Sequence, residues 1–416
     1  MKRVVILVEN LPVPLDRRVW QEATTLREAG WSVTVIGPRG GPTMRRLRER
    51  RDGIEVLRYP QRAASGLAGY LFEYAPSLLF SLAWLLSARL RCRIDVIHGC
   101  NPPDLFWLLG IVGRMSGARY VYDQHDANPE LSQTKFGDRG LRARILMGIT
   151  YWLERRSYAT AALVIAPNDS YADLARSRGQ VPSDRLVVVR NAPDLVAYRR
   201  LAAGAAIDRH RVGYVGVMGS QDGLDLLIDA WALVGREEGL GDSHLDLVGD
   251  GEARASLEDR AIRLGIAESI TFHGYQRPDE FVPILARCAL CVCPDPPTPF
   301  NNVSTMTKAV DYLAIGRPVV SFGLEETTRL IGEGGRVAAP STPEALAGEI
   351  VTLLRDSSAV DRLAAAAAAR PAALGLTWRE SAARLVEAYA RLAPVAKRTS
   401  DSTGASGSKA GRPTPR

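Results

Sequence analysis

The chain has 416 residues, 46% hydrophobic and 24% charged, the composition of a globular protein long enough for two or three domains. A formal net charge of +7 and a pI near 9.3 favour anionic partners, leaving nucleic acid, nucleotide phosphates and acidic lipid in play. Five cysteines fit a reducing compartment, and the lone C-x-x-C in CALCVC (288–293) has no second pair to complete a zinc site, so that segment reads as a buried strand.

The opening KRVVILVEN is too brief for a signal core and reads as a first buried strand. Strand-like runs then recur at 4–8, 32–37, 54–59, 95–99, 119–123, 162–167 and 185–190. Helical patterns separate most of them, as in RRVWQEATTLREAG, which stops at Gly30. Continuous apolar strands between helices predict a parallel sheet covered on both faces. Arg17 and Arg18 begin the first helix, where cations oppose the helix dipole. A solvated helical turn is the plain reading, and an anionic partner is the functional one.

RGGPTMRRLRERR (39–51) holds six arginines against one glutamate and reads as a solvated loop or helix face. GLAGYLFEYAPSLLFSLAWLLSARLR (66–91) is interrupted by Glu73 and Pro76, and its clean portion, 77–90, is shorter than a membrane span. The two together predict a surface that meets a membrane without crossing it. In YDQHDANPE (122–130), His125 stands at the carboxyl end of a strand between Asp123 and Asp126.

Residues 191–211 break the rhythm and read as a linker. Strand–helix alternation restarts at VGYVGVMG, followed by a helix from Asp222 to about Val234, HLDLVGDGE, SITFHGY and CALCVCP. A doubly wound pair of domains puts a cleft at the carboxyl ends of both sets of strands. Gly219 and Ser220, and then Gly249, Asp250 and Gly251, form strand-to-helix turns whose free N–H groups suit phosphate. Neither turn is a Walker loop or a dinucleotide fingerprint. In NNVSTMTKAVDYLAIGRPVVSF (301–322), Ser304 is expected to cap a helix that carries Lys308 and Asp311 on one face. From 394 the chain is almost free of apolar residues and reads as a disordered tail.

The two-domain layout, LVGDGE, ITFHGY, YDQHDANPEL and VSTMTKAVDYLAIGRPVVSF together resemble glycosyltransferase family 4, and bacterial exopolysaccharide and lipopolysaccharide O-chain enzymes among its members. The resemblance extends to about residue 392. It implies an α/β chain of GT-B architecture, with two Rossmann-like doubly wound domains facing a central cleft. The expected bounds are 1–195 for the acceptor domain and 196–375 for the donor domain. A helix at 376–392 is expected to pack back on the first domain, with the tail at 393–416.

The family's E-x7-E motif sets a glutamate on the nucleotide ribose, and Asp311 matches that place; its partner glutamate would fall at Val303 and is absent. Asn302, Ser304 and Thr305 are then expected near the donor sugar, with Tyr275 on the donor side. The family's Arg and Lys for the diphosphate are also missing, which leaves Lys308 as the candidate cation. His125 matches a histidine that touches the transferred sugar, while Arg17 and Arg18 shape the acceptor or phosphate side. The chain has no D-x-D motif, and the resemblance implies retention of configuration with no metal and no cofactor. Expected partners are a UDP- or GDP-type sugar donor, a lipid-linked glycan and the inner face of the bacterial membrane, with no nucleic acid. A nucleotide-sugar epimerase and a degenerate glycan-binding subunit stand as alternatives.

Overall fold

The computed structural model describes residues 1–40, 44–60, 66–91, 93–137 and 139–392, with backbone alone for 66–73 and 91. The tail from 393 and positions 41–43 of the arginine-rich stretch lie outside the described residues.

The first sheet holds β1 (Arg3–Leu7), β2 (Ser32–Pro38), β3 (Arg48–Arg51), β4 (Ile54–Tyr59), β5 (Val96–Cys100), β6 (Arg119–Asp123), β7 (Leu163–Ala166) and β8 (Leu186–Val188). Their order is β3-β4-β2-β1-β5-β6-β7-β8. Every pairing is parallel except β3 with β4. The RERR of β3 corrects the loop-or-helix expectation. It lies on the sheet edge, where its arginines stay in water and discourage further pairing.

The helices of this half are α1 (Arg17–Glu28), α2 (Gly66–Arg91), α3 (Trp107–Arg114), α4 (Asn128–Phe136), α5 (Leu141–Thr160) and α6 (Asp169–Ser177). Side chains of α2, α3, α5 and α6 share a core with one face of the sheet. Helix α1 covers the other face.

The expected linker is largely structured, which corrects that reading. Asp194 caps α7 (Leu195–Ala202) by accepting from the N–H groups of Val196 and Ala197. The second sheet follows at once: β9 (Asp208–Val215), β10 (His244–Val248), β11 (Ile270–Gly274), β12 (Cys288–Cys293), β13 (Val319–Phe322) and β14 (Gly335–Ala338). Its order is β11-β10-β9-β12-β13-β14, parallel throughout. The cysteines of CALCVC are buried and free on β12.

Its helices are α8 (Leu224–Val234), α9 (Arg254–Arg263), α10 (Pro278–Ala286), α11 (Pro299–Val303), α12 (Thr307–Ala314), α13 (Glu325–Ile331), α14 (Pro343–Arg355) and α15 (Ser357–Ala373). The chain then returns to the first sheet through α16 (Trp378–Leu392). There Leu385, Ala388 and Tyr389 join the core beside α1, and Trp378 donates its indole N–H to Thr25.

The layer made by α2, α3 and α5 is apolar outside as well as inside. Leu79, Leu86 and Leu90 of α2, Leu108 and Ile111 of α3 with Met115 at its end, and Leu141, Ile145, Ile149 and Trp152 of α5 are all exposed. No helix among the described residues is long and apolar enough to cross a membrane.

Candidate functional site

The carboxyl ends of the two sheets are joined by a polar seam. Asn168, at the end of β7, donates to Val303 O and Thr305 Oγ1, both at 2.9 Å. Tyr171 and Ser304 share a hydroxyl contact at 3.0 Å, and Ser170 donates to Glu326 Oε2 at 2.7 Å. The expectation that Ser304 and Thr305 face the sugar is thereby corrected: both hydroxyls hold the domains together. Ser304 does not start the helix either. It ends α11, and α12 begins at Thr307 after Met306, with no side-chain cap.

On the first wall the organising group is Asp123, fully buried at the tip of β6. It accepts from Arg18 Nη2 at 2.8 Å and pairs with His125 Nε2 at 2.6 Å, and His98 Nε2 lies 3.4 Å away. Burial alone would raise this carboxyl, but Arg18, then His125, outweigh it and hold Asp123 well below the usual range. Burial pulls His125 down while Asp123 more than compensates, so the imidazole sits above its ordinary value. Glu22 goes the other way. Burial, then the charge of Asp123, push it up to about 8 against the opposing Arg18. Two neighbouring carboxyls are therefore split, one ionised and one protonated at neutral pH.

Arg18 is sealed within this cluster: it also donates to Val189 O and Asn191 Oδ1, both at 2.8 Å, and lies 3.2 Å from Glu22. That corrects its assignment to an anionic partner, because all its donors face protein. His98, Cys100 and Asp123 bring donor atoms within 4.8 Å of one another, but the guanidinium of Arg18 already occupies Asp123.

On the second wall the pattern is reversed. Lys308 is buried, donates to Asp295 Oδ1 at 2.8 Å, lies 3.6 Å from Asp222 and stands over the ring of Tyr214. Burial opposes its charge, yet Asp295 in particular holds the ammonium above its ordinary value. One cation serves two carboxylates, so Lys308 is not free for phosphate, which corrects that expectation. Lys308 and Asp311 also leave α12 in different directions. Tyr312 accompanies Lys308 toward β9, whereas Asp311 joins Thr307 and Val310 on a cavity.

That cavity, about 210 Å³, is walled by both domains: Arg17, Arg18, Gln21 and 191–193 on one side, and Thr307, Val310 and Asp311 on the other. Arg17 is exposed and faces Asp311 across it. Burial pushes the Asp311 carboxyl up to about 6, with Arg17 opposing. A larger cavity of about 510 Å³ lies elsewhere, between the β3–β4 edge and α2, away from the carboxyl ends of the strands.

The glycine turns are tight for reasons internal to the fold. A Cβ on Gly249, whose φ is +132°, would meet Gly216 O at 1.8 Å, and one on Gly251 would meet Met218 O at 2.4 Å. Their amides are engaged as well. Gly249 N donates to Gly274 O, Gly251 N to Asp250 Oδ1, and Gly219 N to Asp222 Oδ2. The expectation of free N–H groups at these three positions is corrected accordingly. Ser220 is exposed on the same rim, Tyr275 projects from the end of β11, and Asn302 is half-buried on α11.

Sequence reasoning missed Asp222 and Asp295 as partners of Lys308, and Glu22 as a partner of Arg18. The i,i+4 spacing of Arg18 and Glu22 on α1 was the available signal for the last.

Two family models match the chain: "Glycosyl transferase 4-like domain" over 15–192 and "Glycosyl transferases group 1" over 209–356. Alpha-D-kanosaminyltransferase of Streptomyces kanamyceticus is 26% identical over 325 residues, covering 74% of this chain and 81% of that protein. The 2-deoxystreptamine glucosyltransferase of the same organism is 23% identical over 350 residues, covering 79% and 86%. Sucrose-phosphate synthase from Thermosynechococcus elongatus superposes with a TM-score of 0.73 at 19% identity, over 94% of this chain and 99% of that one. Anabaena HepE in complex with UDP-glucose gives 0.68 at 19% identity, over 94% and 100%.

Proposed function

This chain belongs to the family 4 type glycosyltransferases with GT-B architecture, and from that premise we propose that it moves a sugar from a UDP- or GDP-type donor to a lipid-linked glycan in cell-surface polysaccharide synthesis. The carrying observation is Asp311, which opens with Arg17 onto a cavity walled by both domains. Asp311 accepts from the ribose hydroxyls, and Arg17 is the cation that meets the diphosphate. Lys308 acts as a positioning residue: by tying Asp295 to Asp222 it fixes the turns after β12 and β9 that frame the donor. His125 meets the transferred sugar from the other wall. The acceptor hydroxyl attacks the anomeric carbon on the face from which the phosphate departs. The sugar–phosphate C–O bond breaks, and the acceptor proton passes to the leaving phosphate oxygen, so configuration is retained without a metal.

A soluble aminocyclitol glycoside as acceptor is a second reading, favoured by the two Streptomyces relatives.

A thermal-shift screen of UDP, GDP and their sugars tests the donor, since a ligand of the native state alone must raise apparent stability. A concentration-dependent rise for one nucleotide series is expected. No shift with any of them would overturn the donor assignment, and binding with no transfer to any glycan would leave a glycan-binding subunit.

A further inference from the structure

Half of the large hydrophobic side chains exposed among the described residues lie on α2, on α3 with its C-cap Met115, and on α5. Those helices are neighbours. Leu86 of α2 and Val112 of α3 line one groove, and Trp107 of α3 meets Trp152 of α5 edge-on at 5.9 Å. Their outer residues therefore form a continuous patch of a kind that monomeric proteins rarely leave uncovered. On α5 the spacing of Leu141, Ile145, Ile149 and Trp152 makes one stripe along the helix.

The exposed charge on the described side chains of these helices has one sign. Arg89, Arg114, Arg142, Arg144, Arg155 and Arg156 are exposed on the same helices. Glu154 is the one acid among their described side chains, and it is buried against Arg178. Arg48 and Arg50 of β3 lie beside Trp84 of α2, together with Glu49 and Glu55, and Glu55 pairs with Arg48.

We propose that the outer face of α2, α3 and α5 docks on an anionic lipid bilayer, with Trp152 and the leucines and isoleucines entering the interface and the arginines meeting headgroup phosphates. A second copy of this chain fits less well, because a two-fold pairing of this face would set arginines against arginines. No helix among the described residues is long and apolar enough to span, so the protein would lie on the bilayer. The inference deepens the lipid-linked acceptor reading and extends the expected contact from the arginine-rich stretch and the apolar run at 77–90 to a layer of three helices.

The test is co-sedimentation of the full chain with phosphatidylcholine vesicles, with and without phosphatidylglycerol. Binding to the anionic vesicles, weakened by salt, is expected. An I145S/I149S/W152S variant and an R142S/R144S/R155S/R156S variant should each lose about tenfold or more in partitioning. Both should keep the melting temperature and the nucleotide-induced shift of the parent, since the changed side chains are exposed. Wild-type partitioning by both variants, or no recovery of the parent with anionic vesicles, overturns the proposal. So does a dimeric parent that the apolar variant makes monomeric. The acceptor reading fails separately, by transfer to soluble glycans that vesicles do not alter while vesicle binding persists.

Discussion

The two walls of the cleft solve the same problem with opposite stoichiometry. On the first, one carboxylate, Asp123, gathers Arg18 and His125, and the adjacent Glu22 gives up its charge. On the second, one ammonium, Lys308, gathers Asp295 and Asp222. Buried charges persist only when paired, so each cluster hangs on its central group. The first leaves a histidine with raised proton affinity at the cleft. The second spends its cation within the fold, while Arg17 stands exposed on the cavity between the walls.

Removing the centre of the first cluster should have the largest effect. Asp123→Ala leaves Arg18 buried with Glu22, whose own burial still disfavours its charge, and two neutral acceptors; a loss of about 3–5 kcal/mol is expected by denaturant unfolding. A loss under 1 kcal/mol would mean that water or Glu22 takes over the pairing. Lys308→Met should cost somewhat less, about 3 kcal/mol, because Asp222, the second carboxylate, is partly open to water. Adding Asp295→Asn to that variant should recover much of the loss, by a coupling of about 1–3 kcal/mol in a double-mutant cycle. Purely additive losses would dissolve the claim that the cluster is one unit.

The walls should also differ in what they do to turnover. His125→Ala is expected to lower kcat about a hundredfold while nucleotide diphosphate affinity, measured by calorimetry, stays unchanged. An equal fall in both would place His125 in cleft closure.

Much of the fold could be read in advance because its strands are continuous apolar runs. The exceptions have physical causes. The β3 residues RERR carry no apolar signal, since both faces of that edge strand meet water. Helix α7 hides among Pro193, Gly204 and scattered arginines, and its start depends on the Asp194 cap. The site was less legible. Arg18 and Lys308 announce charge, but Arg18 meets Asp123 from 105 residues away, and Lys308 meets Asp295 across a loop that reads only as turn residues. Ser304 looks like a cap in sequence, yet its hydroxyl is claimed by Tyr171 of the other domain.

The smallest effect, and the most discriminating, concerns Asp311. Its carboxyl is raised from 3.8 to about 6, so between those values the folded state holds a proton that the unfolded chain has released. Its contribution to stability is therefore fully present below about 4 and is lost as pH rises through 6. Asp311→Asn removes that loss, and without donor the variant should be about 1–3 kcal/mol more stable at pH 7.5 and flatter between pH 4 and 6. The cost should appear in binding. An amide keeps one acceptor for a ribose hydroxyl but no charge, so nucleotide affinity should fall by about 0.5–1.5 kcal/mol. A stabilised variant with weaker donor binding marks a carboxylate kept for its ligand. A destabilised one, with donor binding untouched, would make the attraction between Asp311 and Arg17 structural and move the ribose site elsewhere on the second domain.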